Sequence, residues 1–420
     1  MPHPKNILIS NIKSLVGIMN EPYLLKKGKA QSVVDRIDDA YLLISDNKIS
    51  DYGSMTSAPQ SPDYQVIDAT DKYVCPTWCD SHTHLVFAGS REQEFVSRLH
   101  GKTYQQISAE GGGILNSAIK LQNTSEDELY NSAYERLQGV IATGTGAIEI
   151  KSGYGLTVDS EIKMLRVIKR LSESSPVTIK ATFLGAHAIP TKYKENRQAY
   201  IDLIINEMLP KVAEENLAEY CDVFCDEGFY TVEETDRILS AAHKYGLKPK
   251  IHANELANSG GVQIGIKHQA ISVDHLEEIE EEEIRLLSQS DTISTLLPAC
   301  SFFLSIPYGP ARKLIDAGAG VTLATDYNPG TSPTGNVPFL MSLGSLKMGM
   351  LPEEAFNAVT INGACAMEVQ DELGSISIGK KANLIITEKM PSFEYMIYSF
   401  GRSHVDTVII EGKIAYQKAT

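Results

Sequence analysis

Between residues 73 and 330, short β-branched runs alternate with stretches of helical period, and most of the runs end on or beside a polar side chain. The run ends fall near His84, Lys151, His187, Cys225, His252, His275, Leu297 and Asp326. Such alternation predicts a parallel sheet, because each return to the same end of the sheet needs a helix-sized crossover. His84 and Asp326 lie 242 residues apart, which fits a closed (β/α)8 barrel of about 250 residues. An open doubly wound sheet also holds eight strands, so the count does not decide between them. Ser125-Glu-Asp-Glu128 and Thr231-Val-Glu-Glu234 read as capping boxes that open two of the crossover helices. The acidic run Glu277 to Glu283 reads as a solvated start of another, where carboxylates suit the positive end of the helix dipole.

The two ends of the chain differ from this middle. Asn6-Ile-Leu-Ile-Ser, Ala40-Tyr-Leu-Leu-Ile-Ser and Lys48-Ile-Ser-Asp-Tyr-Gly read as strands, as do Gly374-Ser-Ile-Ser-Ile-Gly, Ala382-Asn-Leu-Ile-Ile-Thr and Val405 to Lys413. The predicted fold class is therefore α/β: a TIM-like (β/α)8 barrel over 73–370, with a small β-sandwich domain assembled from 1–72 and 371–420. A net charge of −15 repels phosphate backbones and argues against nucleic-acid binding. No run approaches the roughly 18 consecutive apolar residues that span a bilayer, and the start, Met1-Pro-His-Pro-Lys-Asn, is not a leader pattern. The expectation is a cytoplasmic protein without membrane partners. Its six cysteines show no framework spacing and read as reduced, mostly buried thiols.

Asp80-Ser-His82-Thr-His84 closes the first barrel strand, and strand alternation points both imidazoles to one side. A lone HxH more often marks a pair of satisfied histidines. Here Lys250-Ile-His252-Ala-Asn-Glu255 ends the fifth strand, Val273-Asp-His275 the sixth and Thr322-Leu-Ala-Thr-Asp326 the eighth. All stand at carboxyl ends of strands, the face where barrel enzymes carry their chemistry. Imidazoles and a carboxylate converging there suit a divalent metal with an open water position.

This arrangement resembles the amidohydrolase superfamily, with HxH on strand one, His on strands five and six, Asp on strand eight, and a sandwich built from both ends. The HxxE form of His252 to Glu255 is similar to the mononuclear branch. Binuclear members add a carboxylated lysine on strand four, where this chain reads Cys221-Asp-Val-Phe-Cys-Asp-Glu-Gly, without lysine. Five further strings narrow the resemblance: His84-Leu-Val-Phe-Ala-Gly-Ser-Arg91, Gly111-Gly-Gly-Ile, Glu149-Ile-Lys-Ser-Gly-Tyr154-Gly-Leu, Phe183-Leu-Gly-Ala-His187 and Asp326-Tyr-Asn328-Pro-Gly330-Thr331. They resemble the members that open 4-imidazolone-5-propanoate to N-formimidoyl-L-glutamate in histidine degradation, and the likeness covers almost the whole chain.

The resemblance implies that His82, His84, His252 and Asp326 hold one zinc or iron ion. It makes Glu255, His275 and Asp326 catalytic: Glu255 and Asp326 carry protons, with Glu255 preferred as acid to the departing nitrogen and Asp326 as base to water and the reverse left open, and His275 helps stabilise the charge on the carbonyl oxygen. Arg91, a fixed fork suited to carboxylate, takes the propanoate tail unless it merely pairs with Glu92 or Glu94. Tyr154 and His187 hold the ring, and Asn328, Gly330 and Thr331 contact substrate or product. Gly111 to Gly113 lacks the flanking features of a phosphate loop and reads as a loop closing over the mouth. The superfamily also implies a possible homodimer. One rival is a deaminase of a heterocyclic base, which needs no carboxylate clamp, so Arg91 separates the two. The other is a non-catalytic scaffold, against which all four ligands remain in place.

Overall fold

Thr77 is where the chain passes from one sheet to another. The computed structural model describes residues 6–20, 25–102, 106 and 112–419. Gly111 and residues 1–5 lie outside the described residues, and with them part of the expected closing loop and the N-terminal start.

Strands β1 (Asn6–Ile18), β2 (Asp35–Ser45), β3 (Lys48–Ser54), β4 (Gln65–Asp68) and β5 (Lys72–Pro76) belong to the first sheet. The next eight are β6 (Trp78–Asp80), β7 (Thr145–Lys151), β8 (Thr178–Ala186), β9 (Tyr220–Cys225), β10 (Lys248–Ala253), β11 (Ser272–His275), β12 (Ile293–Leu296) and β13 (Val321–Leu323). They pair in chain order, every pair parallel. The ring closes just beyond the strands: Thr83 bridges Tyr327 in parallel, the amide of Asp326 donates to the carbonyl of His82 at 2.9 Å, and the amide of His84 donates to that of Tyr327 at 3.0 Å. Closure settles the choice between a barrel and an open sheet.

β14 (Leu384–Lys389), β15 (Val405–Ile410) and β16 (Lys413–Gln417) return to the first sheet, in the order β16-β15-β14-β5-β1-β2-β3 with β4 beside β1. Val74 joins the halves, pairing with Leu15 on one side and Ile386 on the other. The sheet curls back on itself: the Asp46-Asn47 turn meets the β15–β16 turn so closely that a Cβ on Gly412 would lie 3.0 Å from the Asn47 Cα. Ile9, Leu15, Leu42, Ile49, Ile386 and Ile409 fill the space between as one apolar cluster, which stabilises the unit by roughly 25 cal/mol for each Å² of apolar surface removed from water.

Two local expectations are corrected. Gly374 to Gly379 is a turn-rich segment that touches β1 through a single bridge, Ile18 to Ile376, because both glycines adopt left-handed φ values of 82° and 89°. The acidic run does not open its helix at Glu277. The helix spans Glu281–Ser288, with Glu280 and Glu283 forming the capping box, and Glu277 is buried. The two expected boxes at Ser125 and Thr231 are present on the helices Glu126–Ala142 and Val232–His243. Among the described residues, no helix is long and apolar enough to cross a membrane. The six cysteines are free thiols, and all but half-buried Cys365 are buried.

Candidate active site

His82 and His84 lie immediately past β6 and Asp326 just past β13, so the hydrogen bonds that close the barrel also bring these three together. Thr83 between the histidines turns away and donates to the Glu149 carbonyl at 2.6 Å, as alternation requires. Nε2 of His82 and of His84 lie 3.7 and 3.6 Å from the same oxygen, Oδ1 of Asp326. His252, near the end of β10, brings its Nε2 to 3.4 Å from that of His84. His275 ends β11 with its ring 5.2 Å from that of His252. His275 and Asp326 hold left-handed backbone at φ 84° and 51°, unusual for residues with side chains and common where function fixes geometry.

Beneath this mouth lies a layer of five charged side chains that are wholly shielded from solvent. Nδ1 of His82 lies 2.6 Å from Asp274 and Nδ1 of His252 lies 3.0 Å from Asp222. A carboxylate only accepts, so both Nδ1 atoms carry a proton and both rings turn their Nε2 edge to the mouth. Lys151 reaches Glu149 at 2.6 Å, Asp222 at 2.8 Å and Asp274 at 3.6 Å. Lys250 pairs with Glu149 and donates to the Ser81 carbonyl at 3.2 Å. Burial works against the charge on Lys151, yet Asp222, Glu149 and Asp274 outweigh it and raise its pKa. Burial likewise opposes charge on Asp222, and His252 with Lys151 overcome it, holding that carboxyl well below its usual range. Burial first, then neighbouring cations and imidazoles, keeps His82 and His84 neutral.

The donor set fits a divalent cation. His82, His84 and Asp326 form one group of potential ligand atoms, His252 joins His82 and His275 in a second and His84 and His187 in a third, and the buried Nε2 of His82 has no hydrogen-bond partner there. His187 stacks on His84 at 5.1 Å, and burial pushes its pKa down to about 3. Its Nδ1 meets the Gly153 carbonyl at 3.0 Å, and Gly153, at φ 112°, has no room for a side chain because a Cβ would lie 2.8 Å from that nitrogen. Buried Glu161 accepts from the amides of Gly153, Gly155 and Leu156 and so shapes the loop that sets Tyr154 beside both rings.

Glu255 lies past β10, its backbone amide held by Asp226 at 2.8 Å and its Oε2 3.6 Å from Nδ1 of His275. Burial pushes the Glu255 carboxyl up to about 7. For His275, burial lowers the pKa, but Glu255, Glu277 and Asp326 raise it to about 10. Asn328 donates to Asp326 Oδ2 at 2.8 Å, and its own oxygen accepts from the amides of Gly330 and Thr331 at 2.8 Å each. Arg91 is buried, its Nε donating to Glu94 at 2.9 Å. Its Nη1 packs so closely on Gly330 that a Cβ there would come within 2.1 Å. The structure thus gathers all the expected residues, with Arg91 both at the site and paired to Glu94. Sequence reasoning missed Asp222, Asp274, Glu149, Lys151, Lys250 and Glu277; the available signal was charged residues inside or beside apolar strand runs.

This fold and this set of side chains define a hydrolase barrel, and residues 73–415 match the Amidohydrolase family, to which the chain belongs. An adenosine deaminase from Xanthomonas campestris, solved with bound zinc, superposes with a TM-score of 0.70 at 16% identity, covering 99% of this chain and 93% of that one. At that identity the likeness concerns the fold. The closer relatives are imidazolonepropionases: those of Flavobacterium psychrophilum and Christiangramia forsetii are 54% and 52% identical, each over 97% of this chain and 99% of the relative. Within the amidohydrolases, the chain therefore belongs with the imidazolonepropionases.

Proposed function

We propose that this chain hydrolyses 4-imidazolone-5-propanoate to N-formimidoyl-L-glutamate, using one zinc or iron ion on His82, His84, His252 and Asp326. The reading is carried by the cluster at the barrel mouth, where Asp326 faces Nε2 of His82 and of His84 and His252 reaches His84, with Nδ1 of His82 and of His252 anchored on carboxylates. A divalent ion held there supplies Lewis acidity that makes water nucleophilic near neutral pH.

The protein's own side chains account for the remainder. Arg91 holds the propanoate carboxylate, with Glu94 and Gly330 fixing its guanidinium. Tyr154 and His187 flank the ring. Asp326, oriented by Asn328, takes a proton from the attacking water, whose oxygen forms a bond to the ring carbonyl carbon. His275 donates a hydrogen bond to the carbonyl oxygen as it gains negative charge. The carbon–nitrogen bond then breaks, and Glu255, whose carboxyl is held near neutrality by burial, gives its proton to the departing nitrogen. Asn328 serves through Asp326, since its side chain is engaged within the loop. A deaminase has no use for an arginine at this position, and the likeness to solved deaminases is confined to fold.

The test offers 4-imidazolone-5-propanoate to the metal-loaded chain and follows ring absorbance, with metal analysis on the same sample. Loss of absorbance with about one ion per chain is expected; a chain that carries its ion and leaves the ring intact overturns the substrate assignment.

A further inference from the structure

We propose that Glu277 is a positioning residue that holds the His275 imidazole in place while Glu255 moves to the substrate. The inference rests on the active-site reading above and adds to it a residue whose place in the sequence had marked it as a solvated helix start.

Three observations carry it. First, Glu277 is turned inward. Its side chain is only 1% exposed, and the helix it was expected to open begins four residues later with its own capping box. The turn is made by consecutive left-handed residues, His275 at φ 84° and Leu276 at φ 68°, a strained conformation that persists only where surroundings enforce it. Second, Glu277 is fixed. The Ser301 hydroxyl donates to its Oε1 at 2.9 Å, and the loop backbone is tied to the segment carrying Glu255, with the Leu276 amide donating to the Ala253 carbonyl at 3.1 Å and that of Glu278 to Asn254 at 2.8 Å.

Third, the other oxygen has one evident use. Oε2 of Glu277 and Nδ1 of His275 are both buried without a hydrogen-bond partner, and they face each other at 3.6 Å. Oε2 of Glu255 lies at the same 3.6 Å from that nitrogen. Two carboxylates therefore compete for one N–H. When Glu255 turns to protonate the departing nitrogen, a lone imidazole N–H would be stranded in a dry site, which is unfavourable because the buried donor has lost its water and gained no acceptor. Glu277 closes that gap by moving a few tenths of an ångström, the tightening often seen when a catalytic site fills. It also keeps the Nε2 edge of His275 aimed at the carbonyl oxygen.

The experiment compares Glu277→Gln and Glu277→Ala in the metal-loaded enzyme, with the His275 ring nitrogens followed by NMR in the metal-free, 15N-labelled chain. Glu277→Gln should lower kcat by about 10–100-fold, the usual loss when the partner of a functional histidine is removed. KM should stay within about twofold and bound metal should be unchanged. Added formate should restore part of the kcat of Glu277→Ala, and the His275 Nδ1 resonance should move in both variants. A kcat within twofold of the parent, a loss that formate leaves untouched and metal content shares, or an unmoved His275 resonance overturns the proposal. If the parent chain fails to open the ring, the substrate assignment falls, and the metal-free NMR comparison still decides whether Glu277 holds His275.

Discussion

The mouth of the barrel and the charged layer under it use the same residue types in opposite ways. Below, Glu149, Lys151, Asp222, Lys250 and Asp274 are wholly buried and each charge has an opposite partner. Above, His82 Nε2, His275 Nδ1 and Glu277 Oε2 are buried and lack hydrogen bonds. A buried polar atom without a partner is costly, and at the mouth two of these three face each other, Glu277 Oε2 and His275 Nδ1, with Glu255 at the same distance from that nitrogen. The layer below spends its hydrogen bonds on fixing two imidazole tautomers. Stability and chemistry are thus stacked in adjacent layers, and substitutions in each should fail differently.

The largest effect is expected at the mouth, in activity alone. Glu255→Gln should lower kcat by about 10²–10⁴-fold, the range for loss of a general acid or base, while metal analysis still finds the ion; undiminished turnover would end that role for Glu255. In the layer below, Lys151→Met leaves Asp222 and Asp274 short of their cation, and breaking a buried ion pair in this way costs about 3–5 kcal/mol. Urea unfolding of the metal-free chain should register the loss, and equal stability of parent and variant would mean that the layer is not held by its charges. Asp274→Asn is expected to fall between the two. It keeps the shape of the layer but loosens His82, and should weaken metal affinity by about 10–100-fold in a chelator titration, with little change in unfolding.

The sequence made the mouth legible and left the layer below it obscure. The mouth residues end strands, where a polar side chain after an apolar run stands out, and barrel geometry converts chain position into spatial convergence. Asp222 and Lys250 lie between apolar neighbours in their strands, Asp274 stands between Val273 and His275, and Glu149 and Lys151 flank an isoleucine in β7. A buried charge looks like any other charge until its partner on another strand is known, and those partners lie up to 123 residues away, as Asp274 does from Lys151. Glu277 was misread for a related reason. Helix-start patterns are local, whereas the double left-handed turn that buries it depends on tertiary contacts with Ala253, Asn254 and Ser301.

The smallest effects should come from the rim, where Arg91 and Gly330 meet, and they test whether the rim acts on binding without touching the chemistry below. Removing Arg91 deletes hydrogen bonds to a charged group, worth about 1.5–3 kcal/mol in such pairs, so Arg91→Ala should raise KM by roughly 10–150-fold and leave kcat nearly unchanged. Gly330→Ala is milder and more telling. Its new methyl would sit 2.1 Å from Nη1 of Arg91, yet the atom that must move is the end of a long side chain that Glu94 holds by the opposite edge. Yielding of this kind sits at the low end of overpacking costs, about 1 kcal/mol, which corresponds to a rise in KM of about fivefold. A KM rise in Arg91→Ala with none in Gly330→Ala would mean that the guanidinium adapts freely and that Glu94 does not fix it. A fall in kcat in Gly330→Ala would place the loop's influence on Asp326, through Asn328, and move Gly330 from the binding rim into the layer where the reaction occurs.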